Sequence, residues 1–309
     1  MSIVMNNQDS QIKVQNLDGF RGEICYDEPM HRHTSWRVGG FAQRYCRPVD
    51  IDDLCYLLGA LPAGEDIFWL GLGSNLLVRD GGIPGTVICT SGVLNNISHK
   101  ENRVDVDAGV ACAKIARYCA RNQLAGAEFL VGIPGTMGGA LAMNAGAFGG
   151  ETWEIVHNVT TVDRAGNRNV RTSDEYTIAY REVIGPQNEW FVSATLELKK
   201  GDSAKSLSRI KELLDRRQDT QPMGQFSSGS VFKNPENDFA GRLIEASGLK
   251  GYCIGGACVS EKHGNFIVNT GNATAADIEA LIIHVADSVE KQQGVRLIPE
   301  VRIVGEGSV

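Results

Sequence analysis

A run of small residues between positions 132 and 150 constrains the fold more than any other feature of this chain. It holds seven glycines in nineteen residues. Thr136 is placed to cap a helix that would contain Gly138 and Gly139, and a helical glycine costs about 1 kcal/mol relative to alanine. The fold must therefore need the absent side chains. Two explanations stay open: a flat ring or a pyrophosphate lies against a backbone whose helix N-terminus attracts anions, or the helix packs closely on a strand.

The composition excludes several classes of protein. The chain has 309 residues, enough for about two to three domains, and its 42 % apolar and 22 % charged residues are typical of globular proteins. A net charge of −7 argues against nucleic acid or an anionic membrane as the main partner, although a locally basic pocket can still bind a small anion. No apolar run approaches the ~18 residues that cross a membrane, and the N-terminus lacks the pattern of a signal peptide.

Cysteine and histidine usage predicts neither a disulfide scaffold nor a metal site. The eight cysteines are scattered and form no Cys-x-x-Cys pair, whereas disulfide scaffolds are short and cysteine-dense. We therefore expect reduced thiols in a cytoplasmic protein, several of them on apolar faces. His31 and His33 have the spacing of a metal arm, but without a cysteine or acid cluster beside them a surface pair is the preferred interpretation.

Strand and helix patterns alternate irregularly along the chain, which predicts an α+β fold rather than a doubly wound parallel sheet. Helices are predicted over residues 50–61, 111–123, 203–218, 240–247 and 275–292, the last being the clearest. Strands are predicted over residues 86–89, 104–106, 190–198, 258–259, 266–268 and 297–304, and a hairpin over 159–162 and 167–170. The change from a charged helix to a polar stretch predicts a domain boundary near residue 216.

A glycine-rich turn, GLGSN, stands between two apolar runs. Gly71, Gly73, Ser74 and Asn75 offer successive backbone N–H groups and a hydroxyl, which suit a phosphate or a pyrophosphate. The turn is not a dinucleotide fingerprint, because Leu76 stands where the third glycine belongs, and no Gly-Lys-Ser/Thr follows to make a P-loop. A tight connection between two strands is the alternative interpretation.

The segment FSSGSVFKNP, residues 226–235, is dense in hydrogen-bond donors. Ser230, Lys233 and Asn234 can all donate to anionic or carbonyl oxygens. Gly229 removes side-chain bulk beside the serine, which suits the close approach of a ligand. The combination favours a ligand-binding segment over a core strand.

Four further polar residues have a functional and a structural interpretation. Arg181, after Tyr180, carries a planar fork that suits a carboxylate, or it is simply solvated. Glu300 lies either on the wet face of a strand or in a pocket, where a raised pKa would serve proton chemistry. Lys250 either complements the dipole of a helix end or binds a ligand, and His263 lies either on a surface loop or in the same site.

These motifs follow one another in a specific order. The ordered set comprises residues 35–40, 71–77, 132–151, 180–181, 229–235, 240–251 and 297–305. In this order it resembles the UDP-N-acetylenolpyruvoylglucosamine reductase family, over roughly residues 31–305. Ser230 comes only 49 positions after Arg181, so the chain resembles the shorter form, which lacks a tyrosine-bearing loop.

The resemblance implies both an architecture and a reaction. After a segment over residues 1–20, it implies an FAD-binding unit of the vanillyl-alcohol-oxidase type in two parts, 21–90 and 91–215, and a substrate-binding domain over 216–309. It implies non-covalent FAD, which NADPH reduces, and UDP-N-acetylglucosamine enolpyruvate as the substrate. The N5 hydride of the flavin goes to the methylene carbon and the adjacent carbon takes a proton, which yields UDP-N-acetylmuramate for peptidoglycan synthesis. No nucleic acid, membrane or obligatory protein partner is expected.

The roles of the family's residues carry over one position at a time. Ser230 matches the proton donor, and Arg181 and Glu300 match the pair that acts on the substrate carboxylate, where an enolate-like dianion develops. The expected substrate contacts are Tyr180, Lys233, Asn234, Lys250 and His263. The expected cofactor contacts are Gly71, Gly73, Ser74, Asn75, Leu76, Gly132, Ile133, Pro134, Gly135, Thr136, Gly138, Gly139, Asn144 and Gly146.

Two positions depart from the family's usual pattern. Val183 stands where a serine is usual, so a hydrogen bond that helps to orient Arg181 is expected to be absent, and Phe148 stands where tyrosine is common. Two other functions stay open at this point. One is a flavin-dependent oxidoreductase of the same fold that acts on a sugar or an alcohol, and the other is a flavin- or nucleotide-binding module without catalysis.

Overall fold

The computed structural model describes residues 17–307, and its first part is a mixed sheet with one helix. The elements are β1 (Glu23–Pro29), β2 (Phe41–Arg47), α1 (Ile51–Ala60), β3 (Ile67–Leu70), β4 (Leu76–Val78) and β5 (Ile83–Cys89). The sheet order is β1-β2-β5-β3, with β1 antiparallel to β2 and the other pairs parallel. The predicted helix at 50–61 is confirmed, because Asp50 caps α1 by accepting a hydrogen bond from the Asp53 amide.

The second part is an antiparallel sheet covered by helices. Its elements are β6 (Ile97–Lys100), β7 (Arg103–Asp107), α2 (Cys112–Arg121), β8 (Leu124–Ala125), α3 (Met137–Ala142), β9 (Gly146–Ala147), β10 (Gly150–Glu151), β11 (Val156–Asp163), β12 (Arg168–Arg171), β13 (Thr177–Ala179), β14 (Glu182–Ile184), β15 (Glu189–Glu197), β16 (Lys199–Lys200) and α4 (Ser203–Thr220). The order of the main sheet is β12-β11-β15-β7-β6, and β11 and β12 form the predicted hairpin. Apolar side chains of α2, α3 and α4 share one core with this sheet.

The third part is a small antiparallel sheet packed against two helices. Its elements are β17 (Phe226–Ser227), α5 (Ala240–Ala246), β18 (Cys253–Ile254), β19 (Ala257–Val259), β20 (Ile267–Asn269), α6 (Ala275–Gln293) and β21 (Arg302–Val304). The sheet order is β17-β20-β19-β18. Helix α6 ends at Gly294, whose φ of +71° is costly for other residues. The boundary near residue 216 stays a prediction, although α4 continues to Thr220.

The predicted strand over 297–304 is wrong for most of its length. Only Arg302–Val304 forms a strand, and it pairs in parallel with β4 of the first part. Pro299 has no N–H to donate to a ladder, so the preceding residues make only isolated contacts, among them the bond from the Lys233 amide to the Ile298 carbonyl at 2.9 Å. The C-terminal segment therefore runs from the third part back into the first.

The prediction that every cysteine is a free thiol is wrong for one pair. Cys253 and Cys258 are direct cross-strand partners in the hairpin of β18 and β19, and they form a disulfide. Gly255 and Gly256 make the two-residue connection that brings the sulfurs opposite each other. The other six cysteines are free, as predicted. The symmetric placing of two glycines between two cysteines is a sequence signal that the Cys-x-x-Cys criterion missed.

Trp36 connects the first part of the chain to the third by packing in its core and by hydrogen bonds. Its side chain is fully buried, and its Nε1 donates to the Ile267 carbonyl at 2.7 Å. The side-chain Nδ2 of Asn269 in turn donates to the Trp36 carbonyl at 2.8 Å. Because these groups pair only across the two parts, their hydrogen bonds fix the C-terminal sheet against the N-terminal one. No helix within residues 17–307 has the length and apolarity needed to span a bilayer.

Candidate active site

One cavity of about 810 Å³ opens where the three parts meet. Its volume lies within the ~300–1,000 Å³ range of small-molecule sites. It collects most of the residues that the sequence singled out: Gly71, Gly73, Ser74, Asn75, Leu76, Gly132, Ile133, Pro134, Gly135, Thr136, Gly138, Gly139, Gly146, Arg181, Ser230 and Glu300 all line it. Segments that are distant in the sequence therefore share one wall.

The turn over residues 71–75 presents a row of free backbone donors to this cavity. None of its five amide N–H groups has a hydrogen-bond acceptor among residues 17–307. The turn is held from outside, since the Gly73 carbonyl accepts from the Ser35 amide and the Asn75 carbonyl from the Arg302 amide, each at 3.1 Å. Gly73 has a φ of +63°, and a Cβ there would lie 1.9 Å from the His33 carbonyl oxygen. A nest of unpaired N–H groups is suited to an anion.

The two glycines of α3 have different surroundings. A Cβ on Gly138 would lie 3.0 Å from the Ala108 Cβ, so this glycine allows the helix to approach the strand layer closely. A Cβ on Gly139 would meet only the Thr136 hydroxyl, at 3.8 Å, and would otherwise stand in the open cavity. Close packing therefore accounts for Gly138, and an open ligand face accounts for Gly139.

Thr136 does not cap α3 in the predicted way. It occupies the N-cap position with an extended backbone, but its side chain accepts no capping hydrogen bond. Its hydroxyl faces Gly71 instead, where an added Cβ would approach it to 2.6 Å. The two glycine-rich segments are thus packed against each other, and the contact requires that residue 71 has no side chain.

Ser230 is held in the wall by the buried residues that follow it. The side chain of Asn265 binds the Phe232 backbone on both sides, accepting from its N–H at 2.9 Å and donating to its carbonyl at 2.8 Å. The Val231 carbonyl accepts from the Glu300 amide at 2.8 Å. Gly229, with a φ of +72° and no atom near its Cβ position, turns the chain just before the serine. Ser230 and Glu300 therefore approach the cavity from adjacent backbones.

Arg181 and Glu300 form an ion pair in the cavity wall. The Arg181 Nε lies 3.1 Å from the Glu300 Oε1, with side chains only 16 % and 11 % exposed. Burial raises the pKa of Glu300, and the positive charges of Arg181 and Lys233 oppose that rise. The interpretation of Glu300 as a residue on a wet face is therefore excluded. A carboxyl with a raised pKa is able to hold a proton beside a reacting group.

Comparison with known proteins identifies the family. The profile described as UDP-N-acetylenolpyruvoylglucosamine reductase, C-terminal domain, matches residues 221–304, and an FAD binding domain profile matches residues 42–171. The UDP-N-acetylenolpyruvoylglucosamine reductase of Alkalilimnicola ehrlichii is 57 % identical over 92 % of this chain and 96 % of its own length. That of Methylococcus capsulatus is 58 % identical over 93 % of this chain and 94 % of its own length. The chain belongs to the UDP-N-acetylenolpyruvoylglucosamine reductase family.

A solved structure agrees with this family and confirms the fold class. The crystal structure of UDP-N-acetylenolpyruvylglucosamine reductase from Thermus caldophilus covers 92 % of this chain and 98 % of its own, with 32 % identity and a TM-score of 0.78. The predicted α+β fold, with an FAD-binding unit of the vanillyl-alcohol-oxidase type and a C-terminal domain, is therefore confirmed. The chain is an FAD-containing oxidoreductase.

The cavity of this reductase fits the flavin nucleotide that the family implies. The unpaired amides of residues 71–75 suit its pyrophosphate. The open face of Gly139 leaves room for a ring against the helix backbone. Trp69 and Trp190, which stack at 5.2 Å, add an aromatic wall. No group of three or more metal-ligating side chains occurs within residues 17–307.

Several predicted contacts of the reductase lie outside the cavity wall. Lys250 pairs with Glu245 at 3.2 Å, and the Asn234 side chain accepts from the Ala240 amide at 3.1 Å at the start of α5. The remaining residues outside the wall are Tyr180, Lys233, His263 and Asn144. Their roles as substrate or cofactor contacts stay predictions.

Two arginines of the cavity escaped the sequence analysis. Arg217, at the end of α4, donates its Nε to the Gln221 side chain at 3.0 Å, and its burial lowers its pKa. Arg302 lines the cavity two residues after Glu300. In the strand that the sequence predicted over 297–304, positions 300 and 302 would share one face, so Arg302 could have been found from Glu300. Arg217 carries no such signal, because its helix is amphipathic and charged throughout.

Proposed function

We propose that this reductase uses NADPH to reduce UDP-N-acetylglucosamine enolpyruvate to UDP-N-acetylmuramate, a precursor of peptidoglycan. The observation that carries the proposal is the convergence of Ser230, Arg181 and Glu300 in one cavity that is also lined by a turn with unpaired backbone donors. A substrate with both an anionic end and a carbon that needs a proton matches such a cavity.

The flavin site supplies hydride chemistry to this cavity. When bound, FAD supplies a hydride, taken from NADPH, to the methylene carbon of the enolpyruvyl group. The turn over residues 71–75 and the segment over 132–136 would hold its pyrophosphate, and Gly139 would leave space for its ring. These residues act by binding and by excluding water, since none of them titrates near neutral pH.

Arg181 stabilises the negative charge that develops on the substrate carboxylate. Hydride addition to the methylene carbon pushes an electron pair toward the carboxylate and generates an enolate-like dianion. A buried guanidinium beside this charge lowers the barrier more than it would in water, because the local dielectric constant is low. Glu300 keeps Arg181 in place at 3.1 Å, and its own raised pKa allows it to share a proton with the dianion.

Ser230 delivers the proton to the carbon beside the carboxylate. A serine hydroxyl is a poor acid in water, but the carbanion is a far stronger base, so the transfer is downhill once the serine is positioned. The backbone bonds of Phe232 to Asn265 provide this positioning. We expect Lys233, whose charge acts on Glu300, to help stabilise the transient alkoxide.

The experiment that tests the proposal uses the purified holoprotein. We expect a yellow protein that reduces its flavin with NADPH and reoxidises it rapidly only when UDP-N-acetylglucosamine enolpyruvate is added. UDP-N-acetylglucosamine, which lacks the enolpyruvyl group, is the matched control. Rapid reoxidation by oxygen alone, with no effect of the enolpyruvyl compound, would overturn the proposal and favour an oxidase of the same fold.

A further inference from the structure

Asn144 lies behind the cavity wall, in contact with Arg181. It lies two residues after the end of α3, it is 2 % exposed, and it is not among the residues that line the cavity. Its φ is +44°, in the left-handed region that asparagine tolerates better than most residues. A strained, buried polar residue beside a site is retained only where surrounding contacts hold it.

Every polar group of the Asn144 side chain is engaged. Its Nδ2 donates to the Glu151 carboxylate at 2.8 Å and to the Ala179 carbonyl at 3.3 Å, and its Oδ1 accepts from the Trp153 amide at 3.1 Å. Ala179 ends β13 two residues before Arg181. The side chain of Asn144 therefore fixes the chain that carries Arg181.

The backbone of the same residue binds the guanidinium itself. The Asn144 carbonyl accepts from the Arg181 Nη1 at 3.3 Å, and the Gly146 carbonyl accepts from the Nη2 at 2.8 Å. The Nε lies 3.1 Å from the Glu300 carboxylate but forms no hydrogen bond within residues 17–307, so protein acceptors bind two of the five guanidinium N–H groups. One N–H group on each Nη remains for a ligand, which matches the two oxygens of a carboxylate.

We propose that Asn144 is a positioning residue that aims Arg181 at the substrate carboxylate, an inference that rests on the proposed function. Val183 offers no hydroxyl to orient the arginine, so the loop over residues 144–146 takes that task in this chain. Arg181 itself has a φ of +56°. Asn144 and Arg181 thus both have a strained backbone, and the hydrogen bond between them helps to keep both in this conformation. The family resemblance implies that Asn144 contacts the cofactor, which its location behind the wall does not favour.

The test compares binding of two nucleotides that differ in the carboxylate. UDP-N-acetylmuramate carries it and UDP-N-acetylglucosamine lacks it, and calorimetry on the oxidised holoprotein measures both. Asn144→Gly keeps the left-handed backbone and its carbonyl but removes the side chain. We expect it to weaken binding of UDP-N-acetylmuramate about ten- to a hundredfold and to leave UDP-N-acetylglucosamine binding unchanged. Asn122→Gly, which removes a 2.8 Å amide bond to the Tyr118 carbonyl outside the cavity, is the matched control.

A second comparison separates positioning from a merely structural role. In the Arg181→Lys background, Asn144→Gly should cost nothing further in carboxylate discrimination, because a residue that acts through Arg181 has no effect without it. If Asn144→Gly does not fold, Glu151→Gln weakens the same contact and should give a smaller loss in the same direction.

Two outcomes would overturn the inference while leaving the proposed function intact. One is an equal loss for both nucleotides, and the other is unchanged discrimination in Asn144→Gly and Glu151→Gln. A wild-type protein that binds both nucleotides equally and does not turn over the enolpyruvyl substrate would instead refute the proposed function, and the inference with it.

Discussion

The Nε of Arg181 lies 3.1 Å from the Oε1 of Glu300, and this ion pair joins a hairpin of the second part to the C-terminal segment. Both side chains are largely buried. Removing two charges from water is costly, so a pair of this kind is weak evidence for stability. Its position in the cavity wall accounts for it better: the pair keeps a cation and a proton-holding group at the place where the proposed reaction develops negative charge.

The first prediction concerns the pH dependence of stability. Burial raises the pKa of Glu300 above its ordinary value of 4.5, against the effect of Arg181 and Lys233. The folded chain then binds this proton more tightly than the unfolded chain, so the wild type loses stability as pH rises from 4.5 through the raised pKa. Gln does not titrate, so the stability of Glu300→Gln relative to the wild type should increase over that window and then level off.

Urea denaturation of both proteins at several pH values measures this difference. Glu279→Gln is a suitable control, because Arg79 lowers the pKa of the Glu279 carboxyl. The contribution of Glu279 to the stability of the fold therefore increases with pH, whereas that of Glu300 decreases. A stability difference for Glu300→Gln that stays constant, or shrinks as pH rises, would show that the ion pair with Arg181 affects the pKa of Glu300 more than burial does.

The second prediction concerns the proton donor. Ser230→Ala should slow reoxidation of the reduced flavin by the enolpyruvyl substrate about 10²- to 10⁴-fold, the usual contribution of a positioned acid. Reduction of the flavin by NADPH should be unchanged, since no proton is delivered in that step. Rapid mixing separates the two half-reactions. Ser227→Ala, a neighbour outside the cavity wall, is the control, and an unchanged second half-reaction in Ser230→Ala would remove Ser230 from its role.

The third prediction separates the two glycines of α3. Gly139→Ala should stabilise the flavin-free protein by up to about 1 kcal/mol through helix propensity but weaken FAD binding, since its methyl group enters the cavity. Gly138→Ala should lower stability by about 1–3 kcal/mol, because its Cβ meets Ala108 at 3.0 Å. Denaturation of the apoprotein and titration with FAD provide both quantities. A Gly139→Ala protein with unchanged FAD affinity would show that the flavin does not lie on this face.

The fourth prediction concerns the contact between the first and third parts. Trp36→Phe removes the donor to the Ile267 carbonyl and leaves a void in a fully buried position. The loss should be about 2–4 kcal/mol in the free energy of unfolding. Tyr252→Phe, which changes an exposed ring that stacks on His284, should cost less than about 0.5 kcal/mol. Equal effects of the two substitutions would mean that Trp36 does not fasten the parts.

Local signals predicted the helices well. Asp50 accepts from the Asp53 amide at the start of α1, and Gly294 ends α6 in the left-handed region. Both signals act within one turn of helix, so they can be seen in the sequence. The strand predicted over 297–304 failed because strand pairing depends on a distant partner, and here β4 pairs only with Arg302–Val304.

By itself, the sequence determined the helices, the ordered motifs and the family, and most of the site residues that it predicted line the cavity. These features depend on neighbours in the chain. Only the tertiary structure decided which role each of those residues has. Gly138 faces Ala108 whereas Gly139 faces the cavity, and Asn144 lies behind Arg181 rather than in the wall. The physical reason is that a side chain's surroundings are set by segments far away in the sequence, whose approach no local periodicity encodes.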